Sequence, residues 1–305
     1  MRWRLASGAR ADYDLARTEE TRMNRWRIGE VTITRVIESE APWDGTFVLP
    51  DATADNVRRV GWLVPHFATA DGKINMSIHA LVVESSGLRL VVDTCVGNDK
   101  ERKLVPAWHK MQKPFLADLA AAGYPRESID RVLCTHLHVD HVGWNTMLVN
   151  GKWVPTFPNA RYLIGRAEWE HWSRSQDADF RQPVEDSVRP VIDAGLADFV
   201  DPDYRINDEV WLEPTPGHTP GHVSVRISSR GEEAVITGDL MHHPIQCANP
   251  HWASAFDSDA DLARKTRREF LERYSNRPVL VFGTHFATPT AGRIARDGDT
   301  WRFDA

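Results

Sequence analysis

The stretch CTHLHVDHVGWN (134–145) places His136, His138, Asp140 and His141 within six positions, directly after the run SIDRVLC (128–134). A short run of Val and Leu bounded by turn-forming residues predicts a buried strand. Four side chains able to bind metal are therefore delivered at a strand end. In extended chain, residues two apart share a face, which lets His136 and His138 converge on one point. Asp140 and His141 follow where the chain must turn, and can address a second point nearby. Burying four such groups without partners is costly, so a structural role for each taken singly does not account for the crowding. Imidazole and carboxylate donors suit Zn²⁺, and also iron, manganese or cobalt.

The rest of the chain supplies more strand ends. Val- and Ile-rich runs bounded by Gly, Pro, Asn or Asp occur at 27–39, 75–85, 88–94, 160–165, 209–215, 222–228, 232–239 and 277–285. Such runs read as buried strands, and Ser86-Gly87 between the second and third is a hairpin signal. Helical spacing appears in KPFLADLAAAGY, with Gly123 as its C-terminal stop, in GRAEWEHW (165–172), and in SDADLARKTRREFLERYSN, where Ser258 and Asp261 form a capping-box pattern. Strands and helices alternate irregularly with hairpins between them, which argues for α/β layers built on mixed sheets. No repeat or linker divides the chain, and residues 23–305 read as one domain. The first 22 residues lack periodicity and a signal-peptide core, and read as a flexible extension or an arm that packs elsewhere, a second subunit included.

Three further segments put a ligand-type residue just past an apolar strand. TPGHTPGH (215–222) offers His218 and His222, VITGD (235–239) offers Asp239, and VFGTH (281–285) offers His285. With these residues in this order, the sequence resembles the metallo-β-lactamase superfamily of metal hydrolases. The likeness runs from about residue 27 to the C-terminus, and VVDT (91–94) matches a further family element. The resemblance implies an αββα sandwich of two mixed sheets flanked by helices, with a two-metal site at one edge. It implies that His136, His138 and His218 hold one ion, that Asp140, His141 and His285 hold the other, and that Asp239 bridges them. His222 is structural by the same analogy, and Asp93 orients a ligand imidazole from behind, as metal sites generally require.

Two metals sharing a bridging hydroxide can attack a carbonyl carbon or phosphorus at neutral pH without a Ser or Cys nucleophile, and no GxSxG element is present. Asp140 is the expected proton carrier. Among branches of the family, flavodiiron members carry Glu where His138 stands, the β-lactamases proper lack the bridging Asp239, and RNase Z-like members need a basic surface. The net charge of −6 disfavours that last group and nucleic-acid partners in general. The segment LMHHPIQCANPHWASAFDSDADLARKTRREFLE after Asp239 favours the lactonase and methyl parathion hydrolase-like branch, so the expected substrate is a lactone, carboxylic ester or organophosphate triester. A glyoxalase II-like thioesterase and a non-catalytic metal-binding scaffold are the alternatives.

Two loops, 40–74 and 97–112, are long for a compact domain, and their aromatic content points to pocket walls or an oligomer contact. With 12 tryptophans in the chain, a neutral, apolar or aryl-bearing small molecule is the expected ligand. Phe67, Trp108, Trp144 and His251 are the candidates to touch it. His242 and His243 are placed either in the site wall or on the surface. No apolar run approaches the roughly 20 residues of a membrane span. The three cysteines have no disulfide or metal-ribbon spacing, which points to the cytoplasm. The leading arm and the Trp-rich loops favour a homodimer.

Overall fold

Strand β3 (Ile74–Ser85) is buried on both faces, because layers cover it on either side. Its inward residues Leu81 and Val83 share an apolar cluster with Leu90, Val92, Leu133, Val225, Ile227, Ile236 and Phe282. Its outward Ala80 and Val82 pack instead with Phe115 and Leu119. The computed structural model describes residues 23–305, so the expected extension over 1–22 lies outside the described residues.

Two sheets carry the fold. The first has the order β1-β2-β3-β4-β5-β8-β9, and the second β10-β11-β12-β13-β14-β15. In the first, β1 (Met23–Ile28), β2 (Val31–Trp43), β3 and β4 (Leu88–Val92) run antiparallel, while β4, β5 (Arg131–Leu133), β8 (Arg161–Gly165) and β9 (Ala197–Val200) run parallel. In the second, β10 (Val210–Pro214), β11 (Val223–Ser229), β12 (Glu232–Ile236), β13 (Val279–Phe282), β14 (Ala291–Asp297) and β15 (Thr300–Asp304) pair antiparallel except β12 with β13. A separate hairpin joins β6 (Thr146–Val149) to β7 (Lys152–Pro155).

Helices α1 (Ala54–Arg58), α2 (Phe115–Ala121), α3 (Arg166–Trp172), α4 (Ala178–Pro183), α5 (Arg189–Asp193), α6 (Ile245–Ala248) and α7 (Ala260–Tyr274) lie in the connections. Phe270, Leu271 and Tyr274 of α7 cover the outer face of the second sheet at Val235, Val279 and Val281. The result is the αββα sandwich of two mixed sheets expected from the sequence. The Ser86-Gly87 hairpin is present, with both residues at positive φ, as a two-residue turn matched to strand twist requires. Among the described residues, no helix is long and apolar enough to cross a membrane.

Some local expectations fail for identifiable reasons. Strand β5 stops at Leu133, so His136 and His138 converge through a turn and not through strand alternation. Helix α7 is capped by Asp259, whose side chain accepts from Leu262 N, and not by Ser258. The Ser258 and Asp259 amides are held by the carbonyls of His218 and Gly217, which moves the cap one residue on.

A β-bulge in β2 between Ile37 and Ser39 releases Glu38 from the ladder. Glu38 is buried, and accepts from Val96 N at 2.9 Å, Gly97 N at 3.0 Å and Trp144 Nε1 at 2.6 Å. It therefore ties β2 to the two segments on which Asp93 and His141 are mounted. Burial pushes its carboxyl up from 4.5 to about 7, against the pull of those donors. A raised carboxyl stabilises the fold fully below pH 4.5, and that contribution is lost as pH rises through about 7. The stability of the wild type relative to Glu38→Gln, measured by denaturant unfolding of metal-free protein, should therefore fall by up to about 3 kcal/mol between acid and about pH 8. A difference independent of pH would show that folding does not shift the Glu38 carboxyl.

Candidate metal centre

Three strands deliver their ligands in the same way. His136 lies three residues beyond the end of β5, Asp239 three beyond β12, and His285 three beyond β13. His218 sits in the turn between β10 and β11. All seven residues singled out from the sequence meet at this edge of the sandwich, and six of them are buried, Asp140 being half-buried.

The geometry centres on Asp239. Its Oδ2 lies 3.8 Å from His136 Nε2, 3.3 Å from His141 Nε2 and 3.5 Å from His218 Nε2, and its Oδ1 lies 3.1 Å from His285 Nε2. His138 presents Nδ1 to His218 Nε2 at 2.9 Å, and His285 Nε2 faces His141 Nε2 at 3.2 Å. Asp140 reaches the far side, 3.7 Å from His141 Nε2 and 3.5 Å from His285 Nε2. Donor atoms fall into compact groups: His136 with His138 and His218, Asp140 with His141 and His285, and Asp239 in company with His136 and His141.

Burial, aided by the neighbouring imidazoles, lowers His136, His138 and His218 well below 6.5, so each offers a lone pair at neutral pH. Burial also acts to lower His141 and His285, but Asp239 and Asp140 raise both, with Asp93 adding to the rise at His141. Burial works to raise Asp239, yet His141, His285 and His242 hold it well below the usual carboxylate range.

This arrangement fits divalent cations. His136 Nε2 and Asp239 Oδ1 are buried with no hydrogen-bond partner, a cost that a metal bond would remove. Pairs of imidazole nitrogens face one another across hydrogen-bond distance, and the nitrogen and carboxylate donor set suits zinc.

The ligands are held from behind. Asp93 Oδ2 lies 2.9 Å from His141 Nδ1 and also accepts from Thr135, Ser77 O accepts from His285 Nδ1 at 3.0 Å, and Asp257 Oδ1 lies 2.9 Å from His218 Nδ1. His222 does not face the donor group. Its Nδ1 donates to Thr215 O at 3.0 Å, and its Nε2 accepts from Asp239 N at 2.8 Å. Burial brings it down to about 4, which keeps that Nε2 an acceptor. Gly238, at φ +56, permits this approach, since a Cβ there would meet His222 Nε2 at 2.5 Å.

A cavity of about 330 Å³ opens above the site, walled by Trp43, Phe47, Val105, Trp108, Phe180 and Phe256. Trp108, a sequence candidate, is in this wall, and the others named for substrate contact are not. Trp144 is buried in the core, stacked on Phe115 with its N–H given to Glu38. Phe67 is buried among Phe286 and Phe303, and His251 is exposed and absent from the cavity lining, its carbonyl accepting from Arg264. His242 is buried in the cavity wall, 3.3 Å from Asp239 Oδ2, whereas His243 is buried against Phe67 O. Sequence reasoning missed Asp257, Phe180 and Phe256, and reached Trp43 and Phe47 only as part of the 40–74 segment. Asp257 lies in a polar loop with no periodicity, and the aromatic residues are brought together only by the fold.

The Metallo-beta-lactamase superfamily model matches residues 75–285, and the chain belongs to that superfamily. An N-acyl homoserine lactonase of Bacillus sp. is 27% identical over 167 residues, 54% of this chain and 59% of the relative, so the match spans less than two thirds of that protein. An N-acyl homoserine lactonase of Bacillus cereus is 24% identical over 230 residues, 70% of this chain and 84% of the relative. The solved structure of AidC, a dizinc quorum-quenching lactonase in complex with a product N-hexnoyl-L-homoserine, has a TM-score of 0.73 at 21% identity. It covers 92% of this chain and 96% of that one, which shows a common fold.

Asp257 fixes the tautomer of His218 by accepting from Nδ1. Replacing Asp257 with Ala should weaken Zn²⁺ binding by about 10–100-fold, measured by competition with a chromophoric chelator. Unchanged affinity would remove Asp257 from the site.

Proposed function

We propose that this chain is a metal-dependent hydrolase of neutral acyl lactones, with carboxylic esters and organophosphate triesters as further substrates of the same class. The observation that carries this reading is the cluster of histidine and aspartate donors beneath an aromatic cavity that five of them line, His138, Asp140, His218, Asp239 and His285. Similarity to N-acyl homoserine lactonases supports the lactone as first choice.

His136, His138 and His218 would hold one divalent cation, most simply zinc, and Asp140, His141 and His285 a second, with Asp239 between them. Cations held there would supply a hydroxide at neutral pH and polarise the carbonyl under attack. The chain itself does the rest. Asp140 is half-buried at the cavity floor, within 3.7 Å of His141 and 3.5 Å of His285. From there it takes the proton of the attacking water and returns it to the alkoxide oxygen that leaves the acyl carbon. Asp93 keeps His141 in one orientation while this occurs. The walls of Trp43, Phe47, Phe180 and Phe256 receive the apolar part of the substrate and exclude water.

Zinc-loaded protein should hydrolyse N-acyl homoserine lactones in preference to aryl esters, methyl parathion and S-lactoylglutathione, each followed by acid release or chromophore. Turnover of the thioester alone would favour the glyoxalase II-like alternative, and turnover of none would leave a metal-binding scaffold. Compared at equal metal content, Asp140→Asn should lower kcat by at least about 100-fold. Normal turnover by that variant would remove Asp140 as the proton carrier.

A further inference from the structure

Two distant parts of the chain that touch one another contribute to the cavity wall. Glu101–Val105 and Trp108 form one, and Asp177, Asp179, Phe180 and Gln182 form the other. Behind them lies a buried ion cluster that the hydrolytic chemistry does not use. Arg102 grips Asp186 through both guanidinium ends, Nη1 to Oδ2 at 2.7 Å and Nη2 to Oδ1 at 2.8 Å. Lys100 Nζ donates to Asp186 O at 3.1 Å and to Thr146 Oγ1 at 2.6 Å, and lies 3.7 Å above the Trp153 ring. The side chains of Lys100, Arg102 and Asp186 are 0%, 4% and 10% exposed.

We propose that Asp186 is a specificity-determining residue: by clamping Arg102 it fixes the gap between the two cavity walls, and so sets which acyl or aryl groups the cavity admits.

Two physical points support this. A buried Arg–carboxylate pair carries a desolvation penalty, and apolar packing would hold the walls together at least as firmly. What a forked Arg–carboxylate pair adds over apolar contact is a single relative orientation. The placement of the carboxylate agrees with that role. Asp186 lies in a π-helical turn, 184–188, that joins α4 to α5, and α4 carries Phe180 into the cavity. The insertion that makes a π turn rotates the residues it contains relative to the helix before it. Here the rotated residue is the one that Arg102 holds. The pair also keeps the Arg102 charge occupied by a carboxylate.

The role in specificity rests on the hydrolase reading above, whereas the coupling of the two walls does not. The test uses full-length, zinc-loaded protein in three forms: wild type, Asp186→Asn, and the reciprocal double variant Arg102→Asp with Asp186→Arg. Each is measured for kcat and KM on N-acyl homoserine lactones of increasing chain length, and for amide hydrogen exchange over 101–105 and 178–188. In Asp186→Asn, exchange should rise in both segments together, and discrimination between short and long acyl chains should change by roughly tenfold, through KM more than kcat. The reciprocal variant should move both readouts back towards wild type. An unchanged chain-length profile, or exchange that rises in one segment alone or evenly across the chain, would overturn the proposal. If the wild type hydrolysed no lactone, the function proposed above would fail, and the exchange comparison would still decide whether the clamp couples the walls.

Discussion

Asp239 lies between 3.1 and 3.8 Å from the nitrogens of five buried imidazoles, those of His136, His141, His218, His242 and His285. Little else in the fold is so demanding. A carboxylate at that depth is stable only if positive charge surrounds it, and lone pairs at that density are stable only if cations or protons separate them. The sandwich meets the first need by ending β5, β12 and β13 at one edge. It meets the second by leaving His136 Nε2 and Asp239 Oδ1 without hydrogen-bond partners, in position for a metal. The remaining polar groups near the site serve this arrangement. Asp93, Asp257 and Ser77 O hold the rear nitrogens of three imidazoles, and His222 holds the Asp239 backbone.

The donor set and the layering were legible in the sequence because both follow from local pattern. Buried strands are short apolar runs, and each ligand follows such a run after a Gly or Thr that lets the chain bend. Trp144 shows where that logic stops. Three residues after His141, it was a natural candidate for substrate contact, but it packs inward. The bulge at Glu38, which no periodicity announces, supplies a buried acceptor for its N–H. Phe67 fails in a similar way, since the aromatic partners that bury it come from the end of the chain. The cavity walls were legible only as the two aromatic-bearing segments, 40–74 and 97–112, and not as a complete set of residues. Trp43, Phe180 and Phe256 stand far apart in sequence and have no motif, and only the tertiary fold brings them together.

The site thus separates into parts under different physical control. Its floor is set by strand ends and by hydrogen bonds behind three of its imidazoles, which tolerate little displacement. Its walls come from long connections held by side-chain contacts, with the Arg102–Asp186 pair at their junction. Reaction type belongs to the floor and substrate choice to the walls. This division explains why family resemblance in the ligands says much about chemistry and less about the molecule acted on.

On the function proposed above, the Asp239 carboxylate organises two cation sites. The most direct test is the stoichiometry of Zn²⁺ after equilibrium dialysis, measured by elemental analysis on wild type and on Asp239→Asn. The account predicts about two ions per chain in the wild type, on the pattern of two-metal hydrolytic sites, and loss of at least one in the variant. A single ion in the wild type, or full occupancy in the variant, would contradict it.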